Sequence, residues 1–258
     1  MSTCLIEERQ GAVAILTLND PDRRNALSME LRTTLRERLQ ALGQDADCRA
    51  IVLTGAGGAF CAGGDLAAMR RDDPAGARHR LGIVQDIIRA VAAGPRPVLA
   101  AVDGPAFGAG MALAAAADHV IAAETTARFS ASFVRLGLMP DAGLLWSLPQ
   151  RVGAARARGL MLSGQVLDAE QAQAMGLADA VCPLADLMAS AIKQAQVLAA
   201  GGPLAVAQIK AGFARGTPSL EDVLAMERDG QPLLFASEDF AEGLAAFRDK
   251  RPPEFSER

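Results

Sequence analysis

Two histidines, His79 and His119, and four isolated cysteines, Cys4, Cys48, Cys61 and Cys182, are all the imidazoles and thiols in 258 residues. The cysteines show neither C-x-x-C nor metal-type spacing. A disulfide framework and a metal cluster are therefore set aside, and reduced, buried thiols are expected. His119 follows Asp118 at the start of an apolar run that reads as a strand, where a satisfied structural histidine is the simpler role. A basic excess is missing as well. The net charge of −4 leaves no broad positive surface for a nucleic acid. Apolar stretches stay short: the one from Met111 ends at Asp118, far below the ~20 residues of a membrane span. Met1 to Arg9 lack the basic-then-apolar order of a secretion signal. A cytoplasmic protein without a membrane partner is the expectation, and no low-complexity linker divides it.

What the sequence does have is apolar content, at 50%. That suffices for one large domain, or for one domain with a small appendage. Alternation over 13–18 predicts a strand, and Asn19-Asp20-Pro21 a turn. Ser28 is placed to N-cap a helix whose face is Leu31, Leu35 and Leu39 and which ends near Gly43. Continuous apolar runs at 50–55 and 98–102 predict buried parallel strands. A helix is expected between them, over about 75–92, and a further strand at 119–122. Strands returning through helices point to a parallel-sheet α/β core. Beyond about residue 165 the pattern predicts helices only. One is opened by Asp168 and stopped by Gly176; others follow over about 184–200, 204–214, 219–235 and 238–250.

The most informative stretches lie where the two buried runs empty into small residues. Gly57 to Leu66 reads Gly-Gly-Ala-Phe-Cys-Ala-Gly-Gly-Asp-Leu, and Gly104 to Ala112 reads Gly-Pro-Ala-Phe-Gly-Ala-Gly-Met-Ala. Glycine there lets backbone N–H groups approach a ligand. Two such loops, each opening a helix, can supply the converging donors of an oxyanion hole. Neither carries the lysine of a phosphate-binding P-loop, and Gly-x-Gly-x-x-Gly is absent, so nucleotide-binding loops are disfavoured.

Together with 15–21 and 24–27 before them, and 137–143 and 246–251 after them, these loops resemble the motifs of the crotonase superfamily, the enoyl-CoA hydratase/isomerase family, in residues and in order. The resemblance spans nearly the whole chain. It implies an α/β fold, a crotonase-like spiral of repeated ββα units, with a core over 1–200 and a C-terminal helical trimerisation region over 201–258. It implies an acyl-CoA thioester substrate, no cofactor beyond the coenzyme A carried by that substrate, no metal, and assembly as a homotrimer or hexamer. The hole amides fall on Gly64 and Ala109. Arg24, Ala26, Leu27, Ala62, Asp65 and Leu66 lie along the bound coenzyme, and Phe247 and Lys250 meet its adenine and phosphates. A core phenylalanine and a solvated lysine are the alternative for the last two.

A hydratase of this family handles water with two glutamates, and these positions fall on Ala112 and Phe133. Neither can carry a proton, and Phe133 counts instead among the substrate-binding residues. One acid sits in the neighbourhood: Asp141, in Pro140-Asp141-Ala142-Gly143. The run around it is similar to the ring-epoxide phenylacetyl-CoA isomerases, which also shift enoyl double bonds. Leu144-Leu145 stands where Gly-Thr is more usual, which implies a narrower acyl pocket. Two roles stay open for Asp141. It carries a proton if an apolar setting of Phe133, Met139 and Trp146 raises its pKa, or it N-caps a helix through Gly143 or Leu144. The expected activity is an isomerase moving a double bond from the 3 to the 2 position or rearranging a related acyl group. Enoyl-CoA hydratase and a non-catalytic acyl-CoA-binding homologue are the alternatives.

Overall fold

The computed structural model describes residues 4–69, 72–216 and 218–257, so the first three residues of the stretch read for a secretion signal lie outside it. Strand β1 (Leu5–Gln10) pairs antiparallel with β2 (Val13–Leu18). Next come α1 (Met29–Gln44), β3 (Ala50–Gly55), α2 (Pro74–Ala93) and β4 (Val98–Val102). The middle of the chain holds β5 (Pro105–Phe107), α3 (Ala109–Ala116), β6 (His119–Ala123), β7 (Arg128–Ser130), α4 (Leu144–Val152) and α5 (Ala154–Ser163). Then follow β8 (Val166–Asp168), α6 (Ala169–Met175), β9 (Ala180–Cys182), α7 (Leu187–Ala199), α8 (Pro203–Phe213), α9 (Leu220–Phe235) and α10 (Glu238–Asp249).

Two sheets organise these elements, one in the order β1-β2-β3-β4-β6-β9 and a small one in the order β5-β7-β8. β2, β3, β4, β6 and β9 run parallel. Each turn of the spiral contributes to both sheets before its helix. β4 is followed by β5, and β6 by β7, while β3 is followed by Cys61, which bridges in parallel to Ala106 of β5. Alternate residues of the long strands point to opposite faces. Ile15, Val52, Leu99 and Ile121 pack with Leu187, Ala191 and Ala195 of α7. Leu16, Leu53, Ala100 and Val120 belong to the larger core with Leu35, Ile87 and Met111. Both faces being covered, the strands read as unbroken apolar runs, as parallel strands do.

The caps follow local chemistry. The Oγ of Ser28 accepts from Leu31 N at 3.2 Å, and Asp168 forms a capping box with Gln171. Gly176, in the left-handed region at φ 87°, closes α6. The region past residue 165 corrects the expectation of helices alone, because β8 and β9 lie there, and β9 is the sixth strand of the main sheet. Strands of three residues, such as Ala180-Val181-Cys182, are too short to carry a period. β1 was likewise silent, since Glu7, Glu8 and Arg9 on this edge strand face solvent or other charged groups. The tail helices are tied to the core: Lys210 of α8 is buried, bonding Val91 O at 2.8 Å and pairing with Asp118. Among the described residues, no helix is long and apolar enough to cross a membrane.

Candidate active site

The loops after β3 and β4 are laced together. Cys61 N donates to Pro105 O at 2.9 Å and Phe107 N returns to Cys61 O at 3.0 Å. Glycine makes this approach possible at two places. A Cβ on Gly110 would lie 2.1 Å from Cys61 O, and one on Gly63, at φ 105°, would lie 2.8 Å from Phe107 O and 3.5 Å from Ala109 N. The Gly63–Gly64 segment therefore lies against the start of α3. Ala109 is the first residue of that helix, where an N–H has no partner within the helix and the dipole favours an anion. No acceptor among the described residues takes the N–H of Gly64 or of Ala109. One expectation needs correcting: the second loop opens a helix, but the first opens only a short 3₁₀ turn, Leu66–Ala68, capped by Asp65. Cys61, which packs against Gly110, is fully buried and its thiol is pushed up to about 12, so it is no nucleophile at neutral pH.

The turn 19–27 braces the first loop from the other side. Ala62 N donates to Arg24 O at 2.9 Å, and Leu27 N to Gly63 O at 2.8 Å, with Leu27 bridged to Gly64. Arg24, Ala26 and Leu27 are thus held against the Ala62–Gly64 segment that leads to Asp65 and Leu66, with Ala26 and Leu27 buried, and Arg23 pairs with Asp65 at 3.6 Å. Two residues of this brace escaped the sequence reading. Asn25 is fully buried in the left-handed region at φ 56°. Its amide donates to Ala56 O at 3.0 Å and Ala59 O at 2.6 Å, while its carbonyl accepts from Asp20 N at 2.8 Å. The signal for it was an asparagine after a turn, the residue that best tolerates that conformation after glycine. The other is Arg32, a buried arginine on the apolar side of α1; a charged residue one place from Leu31 gave no hint of burial.

On the acyl side, Ala112 is fully buried in α3 and Phe133 is 7% exposed. The Phe133 ring lies near the start of α3: a Cβ on Gly108 would lie 3.8 Å from its Cζ. Asp141 does not cap α4. That place is taken by Gly143, with no side-chain bond, and Leu144 N donates to the main-chain carbonyl of Asp141 at 3.0 Å. The Asp141 carboxylate accepts no hydrogen bond from the described residues. It is half-buried, and burial pushes its pKa up while Arg32 pulls it down. The expected apolar setting is only partly present. Met139 is 70% exposed, and the Trp146 indole turns toward Gly216. Leu144 is buried in the core and Leu145 exposed. An apolar cleft of about 630 Å³ opens beside Pro140, lined by Val134, Leu138, Met139, Leu145 and Met161.

Phe247 and Lys250 are not gathered into a pocket of their own chain. Phe247 is 82% exposed on α10 and Lys250 is its exposed C-cap. Among the described residues, no group of three or more histidines, cysteines and acids is arranged to hold a metal ion.

The sequence family described as enoyl-CoA hydratase/isomerase matches residues 8–258. A Rhodobacter capsulatus protein named "Probable enoyl-CoA hydratase" is 43% identical over 257 residues, covering 97% of each chain. The 1,2-epoxyphenylacetyl-CoA isomerase of Escherichia coli is 39% identical over 262 residues, covering 99% of each. The crystal structure of an enoyl-CoA hydratase from Bacillus anthracis superposes with a TM-score of 0.92 at 33% identity, covering 99% of this chain and 100% of its own. With the spiral fold, the paired loops and these relatives in agreement, the chain belongs to the enoyl-CoA hydratase/isomerase family, the crotonase superfamily.

Proposed function

We propose that this family member is an acyl-CoA isomerase, shifting a double bond from the 3 to the 2 position or rearranging a related acyl group through a thioester enolate. The N–H groups of Gly64 and Ala109 hold the enolate oxygen. Asp141 takes the α-proton and returns it further along the chain. The observation that carries this reading is the half-buried Asp141 carboxylate, free of any cap bond and raised in pKa by burial, in a chain with no acid at positions 112 and 133. Hydration needs a proton carrier for water, and Ala112 and Phe133 supply none. The second reading, an enoyl-CoA hydratase, is favoured by the name of the 43% identical relative. No cofactor is required for the isomerisation, because the proton is only moved.

The test is Asp141→Asn with Asp141→Ala. General base catalysis contributes roughly 10²–10⁴, so 3-enoyl turnover is expected to fall by that factor in both, with melting at neutral pH not lowered because no cap is lost. Unimpaired turnover in the Asn variant rejects the mechanism. Assembly follows the same reading. Phe213, Leu220 and Leu233 of the 201–258 region are more than 70% exposed in a single chain, and we take that region to form a trimer, alone or paired as a hexamer. Phe247 and Lys250 then reach coenzyme only within the assembly. A monomer mass by light scattering at micromolar concentration contradicts this.

A further inference from the structure

Arg32 is 6% exposed, yet it forms no ion pair with a carboxylate of the described residues. Its guanidinium holds carbonyls instead. Nε donates to Leu27 O at 3.0 Å and Ser28 O at 3.2 Å, and Nη1 to Arg80 O at 3.3 Å. Nη2 donates to Leu27 O as well. A buried charge without a counter-ion is costly, and the carbonyls offset only part of that cost. Leu27, which takes two of these bonds, is the residue bridged to Gly64. One chain of contacts therefore runs from the guanidinium through Leu27 to the hole. Burial works most strongly against the charge, as does Arg80 of α2, while Asp65 of the first loop and Asp141 favour it. Of these groups, Arg32 is the one that acts on Asp141, against burial.

We propose that Arg32 is a positioning residue: its fork fixes the Leu27–Gly64 bridge that aims the hole amide. This rests on Gly64 as a hole donor. Lysine keeps the charge and loses the fork; methionine loses both.

The experiment uses the full-length protein with a 3-enoyl thioester, recording kcat and KM separately. Arg32→Lys is expected to lower kcat by about 10²-fold, the scale of a 1 Å misplacement, with KM close to that of the parent. Arg32→Met is expected to lower it at least as far. If the methionine variant does not fold, Arg32→Gln, which keeps two donors, serves for that arm and is expected to retain more of kcat than lysine. A parent-like kcat in the lysine variant, or a loss seen only in KM, overturns the proposal. A fully active Gly64→Pro would instead overturn the hole assignment, so the two failures are distinct.

Discussion

The two sides of the site are made in different ways. The hole side is backbone: Gly64 and Ala109 offer N–H groups, and Gly63 and Gly110 are small because carbonyls stand where their Cβ atoms would be. The acid side is one side chain, Asp141, on a loop without a cap bond, and its character comes from burial and from Arg32. Steric demand fixes the first side residue by residue. The second depends on surroundings contributed by α1 and by the loop ahead of α4. A substitution on the hole side should therefore act through geometry, and one on the acid side through titration.

The largest effect expected on the hole side comes from Gly64→Pro, which removes one N–H. Losing one hole donor costs roughly 10²–10³ in rate. A folded proline variant with full turnover removes Gly64 from the mechanism. Next in size is Gly110→Ala, whose Cβ would be driven against Cys61 O. Overpacking against backbone is expected to cost about 3 kcal/mol, read as a lowered melting temperature. Gly64→Ala should be far milder, because Gly64 is outside the left-handed region and the new Cβ meets only the end of Met69, at 2.8 Å. A change beyond about 0.5 kcal/mol in melting would mean that this segment is tighter than it stands here.

The smallest effect belongs to the acid side. Burial raises the folded pKa of Asp141, so the folded state binds more protons than the unfolded one between the two values. The resulting stability is fully present below the unfolded pKa and is lost as pH rises through the folded one. Asp141→Asn should flatten the stability profile across that window in chemical denaturation. An unchanged profile would show that Asp141 titrates as an open carboxylate.

The sequence made the hole side legible and the acid side only half so. Gly63, Gly64 and Gly110 mark the close approach of two loops, and long apolar runs mark strands buried on both faces. β8 and β9 could not be seen, because three residues carry no period. For Asp141, the residue before a possible helix start, capping and catalysis predict the same letters. The placement of Gly143 at the cap removes the capping role from Asp141 and leaves the catalytic one to the Asp141→Asn test. Arg32 left no trace, since an arginine in an amphipathic helix reads as solvated until a second helix, α2, closes over it. Phe247 and Lys250 belong to a helix whose exposed face a single chain leaves uncovered.

The central claim is that this chain moves a proton along an acyl group and does not add water to it. One preparation, offered a short 3-enoyl-CoA and, separately, the matching 2-enoyl-CoA in water, tests it directly. Isomerisation is expected in the ordinary enzyme range, about 1–10³ per second, with loss of the conjugated 2-enoyl absorbance very slow. Hydration in that range, with the 3-enoyl thioester left untouched, would contradict it.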